Sequence, residues 1–164
     1  MADRHKVINE GVVAGLLGAT AIAVWFLIVD SIAGQPLATP VALGNALFSV
    51  LGPGMDGQFV HLVVYTIFHY VAFIAVGILA TYVVHRAETE PTILAVFLIF
   101  FVAFELAFYA FIALLGQTIL MPQMAWYQIG IANLIAAALM GGYLWRRHPL
   151  LKAEFAAALD GRET

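Results

Sequence analysis

The chain has 164 residues, of which 63% are hydrophobic and only 10% charged, whereas a soluble domain is about half apolar. That composition excludes an ordinary water-soluble fold, and a net charge of -3 offers no basic surface to nucleic acid. With no cysteine in the sequence, disulfides, thiolate metal sites and cysteine-ligated iron–sulfur clusters are excluded as well.

A spanning helix needs about 20 apolar residues, because roughly 30 Å of hydrocarbon is crossed at about 1.5 Å per residue. Four stretches meet this requirement, near residues 9–33, 58–84, 91–115 and 124–146. The apolar core of the first, residues 11–29, is longer than a signal-peptide core, so it reads as a retained span. After it, Val41, Leu43, Gly44, Leu47, Phe48 and Leu51 recur at helical spacing between Gln35-Pro36 and Gly52-Pro53-Gly54. This predicts a short outer-leaflet helix over about 40–51. The second and third spans are separated only by residues 86–90, which makes them an antiparallel hairpin. Pro91 suits the first turn of the third span, where its missing N–H costs nothing. In the tail, residues 147–164, Leu150, Leu151, Phe155 and Leu159 oppose Lys152, Glu154 and Asp160. A short amphipathic cytoplasmic helix is expected there.

Every basic residue falls on one side of this arrangement. Arg4 and Lys6 precede the first span, Arg86 lies between the second and third, and Arg146, Arg147, Lys152 and Arg162 follow the fourth. The connections at 34–57 and 116–124 contain none. By the positive-inside rule both termini are cytoplasmic. The expectation is thus a single membrane domain over residues 1–164, an all-α bundle of four transmembrane helices with N-in and C-in topology.

Gly11, Ala14, Gly15, Gly18 and Ala19 in the first span, and Gly130, Ala132, Ala136, Ala137, Gly141 and Gly142 in the fourth, are the small residues that let helix backbones approach closely in lipid. The third span instead carries Phe97, Phe101, Phe104 and Phe108 on one stripe. Such a stripe is ordinarily core packing or lipid contact, and its sharper reading is an interface with another membrane subunit or a flat pigment or haem.

Ionisable groups at bilayer depth are functional hypotheses by default. His69 lies 16 residues before His85, and Glu105 lies 15 after Glu90, so both sit about 23 Å along their helices from the basic side. Asn133, 13 residues before Arg146, reaches a similar level. His69, Glu105 and Asn133 form a candidate buried polar cluster. Either they satisfy one another's hydrogen bonds and fix helix register, or Glu105 and His69 handle protons.

His61, Tyr65 and His69 recur at i, i+4 and i+8, which makes His69 and His61 candidate cofactor ligands. A bis-histidine haem within one subunit needs axial histidines on different helices, and the other three spans contain none. Met55, Asp56, His61, Met121 and Met124 gather on the outer side. Thioether and imidazole suit Cu(I), but no Met-x-x-Met repeat or His-x-His pattern accompanies them beyond Met121 and Met124 themselves. No metal site is therefore assigned from the sequence. No nucleophile motif, phosphate-binding loop or paired-carboxylate site is present either.

The opening EGVVAGLLGATAIAVWFLIVD and the closing YLWRRHP resemble small four-span bacterial inner-membrane proteins of uncharacterised families. The resemblance implies a bacterial cytoplasmic membrane and no catalytic residue. The expected role is an accessory or scaffolding subunit of a larger membrane complex, respiratory or photosynthetic, without catalysis of its own and with lipid and other integral subunits as partners. The alternative is a small haem- or chlorophyll-binding or proton-handling protein that uses His69 and Glu105.

Overall fold

The computed structural model describes residues 2–51, 57–88 and 126–149, together with positions 90, 92, 93, 95, 99, 102 and 106. Four helices are built from them: α1 (Ala2–Ile32), α2 (Ala38–Leu51), α3 (Gln58–Ala87) and α4 (Trp126–Arg147), with no strand among the described residues. Positions 92, 93, 95, 99, 102 and 106 are also helical; the rest of the expected 91–115 span, and the tail from 150 onward, lie outside the described residues.

Three helices, α1, α3 and α4, are long and apolar enough to cross a bilayer. The 14 residues of α2 reach only about 21 Å, too short for roughly 30 Å of hydrocarbon. Helix α1 begins earlier than the apolar stretch that announced it, so Asp3, Arg4, His5 and Lys6 are helical too. Apolarity reports where hydrocarbon begins, whereas backbone hydrogen bonding continues into the polar flank.

Side chains are arranged for lipid rather than water. Ile28, Val71 and Leu134 are 50%, 61% and 71% exposed, while the most deeply buried apolar positions include Ala14, Ala19, Ala87, Ala132 and Ala136. Packing between apolar helices in lipid depends on close backbone approach, and small residues allow it. At the α1–α3 contact a Cβ on Gly11, Gly15 or Gly77 would fall within 3.0 Å of backbone atoms of the facing helix. Gly18 faces Met140 of α4 and Phe73 of α3 equally tightly. On the other face of α1, Ile22 and Phe26 pack with Ala132 and Ala136 of α4, bordered by Trp25, Phe73 and Ile129. A Cβ on Gly141 or Gly142, grouped with the packing residues by composition, would meet nothing within 4 Å among the described residues.

α1 is the central element: it packs on both α3 and α4, whereas α3 and α4 scarcely touch. Contacts of Glu10 with His85 and His148 bring the start of α1 beside the ends of α3 and α4. Thus α3 and α4 both run antiparallel to α1, and Arg4, Lys6, Arg86, Arg146 and Arg147 gather at one end of the bundle.

At the far end α2 packs mainly on α3. Asp30, 6% exposed, caps α2: the Thr39 N–H donates to Asp30 Oδ2 and the Thr39 hydroxyl to Oδ1, both at 2.7 Å. The turn leading there places Gly34 and Leu37 at φ 74° and 71°. The Asp30 carboxylate is thus buried as a helix cap.

Candidate metal centre at the basic end

Three helix ends supply the most concentrated polar chemistry among the described residues. Glu10 lies on the third turn of α1. His85 lies in the last turn of α3, and Glu88 follows as its C-cap, with its N–H donating to the Val84 carbonyl at 3.2 Å. The i, i+3 spacing of His85 and Glu88 puts both on one face. His148 follows α4 directly, its N–H donating to Leu144 O at 3.1 Å, and Pro149 comes next in the sequence.

Glu10 is 7% exposed and His148 only 1%. Buried groups of this polarity must be matched by partners. His148 Nδ1 lies 2.8 Å from Glu88 Oε1, so the ring N–H donates to that carboxylate. In the neutral imidazole the other nitrogen, Nε2, is then an acceptor. It faces another acceptor, Glu10 Oε2, at 3.2 Å.

His85 repeats the arrangement more loosely. Its Nδ1 is 3.7 Å from Glu88 Oε2 and its Nε2 is 3.6 Å from Glu10 Oε2. Its Nε2 is buried without a hydrogen-bond partner among the described residues. The two imidazoles meet edge to face, with ring centroids 4.5 Å apart and an 87° interplanar angle. Two imidazole nitrogens and a carboxylate oxygen thus converge on one point, and Glu88 stands behind both rings.

Three converging lone-pair donors require positive charge between them, supplied either by a proton or by a metal ion. The donor set fits a metal. Ligand atoms of Glu10, His85 and His148 all lie within 4.8 Å of one another. A tetrahedral ion with bonds of about 2.0–2.1 Å separates its ligands by about 3.3–3.4 Å, close to the observed 3.2 and 3.6 Å. Two imidazoles and one carboxylate suit zinc or ferrous iron and leave a coordination position open. Glu88 matches the carboxylate that commonly orients a metal-bound histidine through its second nitrogen.

The residues singled out from sequence are placed elsewhere. His69 is half-buried on α3, and its Nε2–H donates to the Ala19 carbonyl of α1 at 3.1 Å. Haem ligation through Nε2 would have to break that bond. Asn133 is half-buried on α4, a helix that hardly meets α3. Glu105, and the stripe of Phe97, Phe101, Phe104 and Phe108, lie outside the described residues, as do Met55, Asp56, Met121 and Met124. His61 ties α3 to α2: its Nδ1 pairs with Asn45 Oδ1, and its ring lies 4.6 Å from that of Phe48.

In the sequence His85 serves only as the reference for the depth of His69, Glu88 as part of a turn, and Glu10 and His148 as parts of the opening and closing motifs. A usable signal was nevertheless present. Topology placed three helix ends on one side, and each end carries a His or a Glu. No protein-family model, curated protein or solved structure matches this chain.

Proposed function

We propose that this chain is a bacterial inner-membrane protein that holds one divalent transition-metal ion at the cytoplasmic end of its helix bundle. Glu10, His85 and His148 are the ligands and Glu88 is the carboxylate that orients the imidazoles. The observation that carries this reading is the approach of His148 Nε2 and His85 Nε2 to the same oxygen of Glu10, at 3.2 and 3.6 Å. The cytoplasmic placement is supported by the basic residues gathered at the same end.

In this role the ion joins α1, α3 and α4 at a level where α3 and α4 otherwise have little contact. A bundle fastened in this way suits an accessory subunit of a larger membrane complex without catalysis of its own; composition alone supports that further role. Recovery with other subunits in fixed ratio after mild-detergent extraction is its test, and a stable lone chain would count against it.

The metal reading is tested by elemental analysis of protein purified without chelators, followed by zinc titration of the emptied protein against a competing chelator. One ion per chain is expected, lost in His148→Ala and in Glu10→Gln. Absence of saturable binding in the wild type, or binding unchanged in both variants, refutes it.

A further inference from the structure

At the other end of α1 lies a second feature, independent of the metal reading. A cavity of about 230 Å³ opens between α1, α3 and the segment entering α2, with Thr20 the lining residue of α1 nearest the basic end. Thr20 is ten residues from Glu10, about 15 Å along the helix. The cavity and the histidine–glutamate cluster share no residue.

Its lining combines aliphatic side chains, among them Ile22, Val24 and Leu27 of α1 and Leu62 of α3, with the polar aromatics Tyr65, His69 and Tyr70 of α3. None of the lining residues is Asp, Glu, Lys or Arg. A phosphate or carboxylate head would therefore find no counter-charge, so the occupant is neutral. Val24, Leu27 and Thr66 are exposed. Among the described residues the mouth opens on the apolar face that meets lipid, so the occupant enters from the bilayer.

Hydrogen bonding narrows the choice. The Thr66 hydroxyl donates to its own helix at Leu62 O over 2.7 Å, and Thr20 Oγ1 and the Tyr70 hydroxyl pair at 3.2 Å. The Thr39 hydroxyl is held by Asp30. Two groups remain. His69 spends its Nε2–H on Ala19 O, which leaves Nδ1 an acceptor that can receive a bond but not give one. The Tyr65 hydroxyl has no hydrogen-bond partner among the described residues, and its ring stacks on that of His69 at 5.7 Å and 29°. A matching ligand offers a hydroxyl that donates to Nδ1, an oxygen that accepts from Tyr65, and a flat ring for the aromatic wall.

Size completes the argument. With about 30 Å³ per water, the cavity holds the equivalent of about eight waters. That is room for a single substituted ring and too little for a drug-sized ligand, whose pockets start at about 300 Å³. We propose that this cavity binds the ring of a lipid-soluble quinol, its hydroxyl donating to His69 Nδ1 and its apolar tail left in the bilayer. The oxidised quinone has no hydroxyl to donate and confronts Nδ1 with a second acceptor, so the site selects the reduced form.

The experiment uses the full chain in lipid nanodiscs, with decyl-hydroquinone kept reduced and decyl-benzoquinone as probes, and measures probe retained over empty nanodiscs. One quinol per chain is expected, bound about five- to 150-fold more tightly than the quinone, since the quinone leaves a buried acceptor facing an acceptor. His69→Phe should remove that preference. His69→Gln, which can donate to Ala19 and still accept, should keep it. Thr66→Phe fills the mouth while keeping both polar groups in the sequence and should abolish binding at unchanged helix content. His148→Ala should leave quinol binding intact while losing the metal, which separates the two sites. The assignment is overturned by retention no greater than in empty nanodiscs, by equal affinity for both redox forms, by persistence of the preference in His69→Phe, or by a phospholipid chain in the cavity that the quinol fails to displace.

Discussion

Glu88 provides the sharpest test of the proposed metal centre, because it would act on an ion there only through the histidines. Its Oε1 accepts from His148 Nδ1 at 2.8 Å, and its Oε2 stands 3.7 Å from His85 Nδ1. Removing it in Glu88→Ala leaves all three ligand atoms present but frees the tautomer and ring orientation of His148. Loss of such a carboxylate typically costs about 10–100-fold in metal affinity, or about 1.4–2.8 kcal/mol. Glu88→Gln keeps an acceptor oxygen for the 2.8 Å bond while removing the charge, so its loss should fall near tenfold. His148→Ala removes a ligand and should lose more than either. The assay is zinc competition with a chelator of known affinity, run beside thermal melting of the metal-free proteins, so that unfolding is not mistaken for lost affinity. If Glu88→Ala binds zinc as the wild type does while His148→Ala does not, Glu88 has no orienting role. If all three bind alike, the ion is not held here.

Other expectations concern architecture. Gly77→Val should destabilise the α1–α3 pair by about 1–3 kcal/mol, because its Cβ would press on Gly11 and Gly15 backbone atoms that cannot rotate away; a lowered denaturation midpoint in detergent checks this, and an unchanged midpoint refutes the packing. Asp30→Ala removes two bonds to Thr39 and should cost about 1 kcal/mol, read as faster amide exchange confined to the start of α2. Because the chain lacks cysteine, single cysteines at Ala2 and Ser31 can be labelled from either side of a sealed vesicle. Labelling from opposite faces is expected, with Ala2 on the cytoplasmic side.

Much of the architecture was legible along the chain for a simple reason. Crossing hydrocarbon demands length and apolarity, and both are one-dimensional properties that can be counted. Helices α1, α3 and α4 therefore lie close to where composition placed them, and the α2 helix emerged from spacing and its flanking prolines and glycines. The small residues of α1 announced close packing as well, but only the folded arrangement assigns Gly11 and Gly15 to Gly77. Composition states that a helix can be approached, not by which neighbour.

The candidate centre was hidden for the same reason. Glu10 and His85 look like ordinary edge residues when each is read against its own span, and the side-chain depth rule directed attention to His69 and Glu105 instead. What makes Glu10, His85, Glu88 and His148 chemically distinctive is a set of distances across 138 residues of sequence, created when α1 inserts between α3 and α4. The sequence determines where each helix must run, because lipid enforces this locally; the packing of α1 alone decides which polar groups meet, because convergence of donors is a property of three helix ends together.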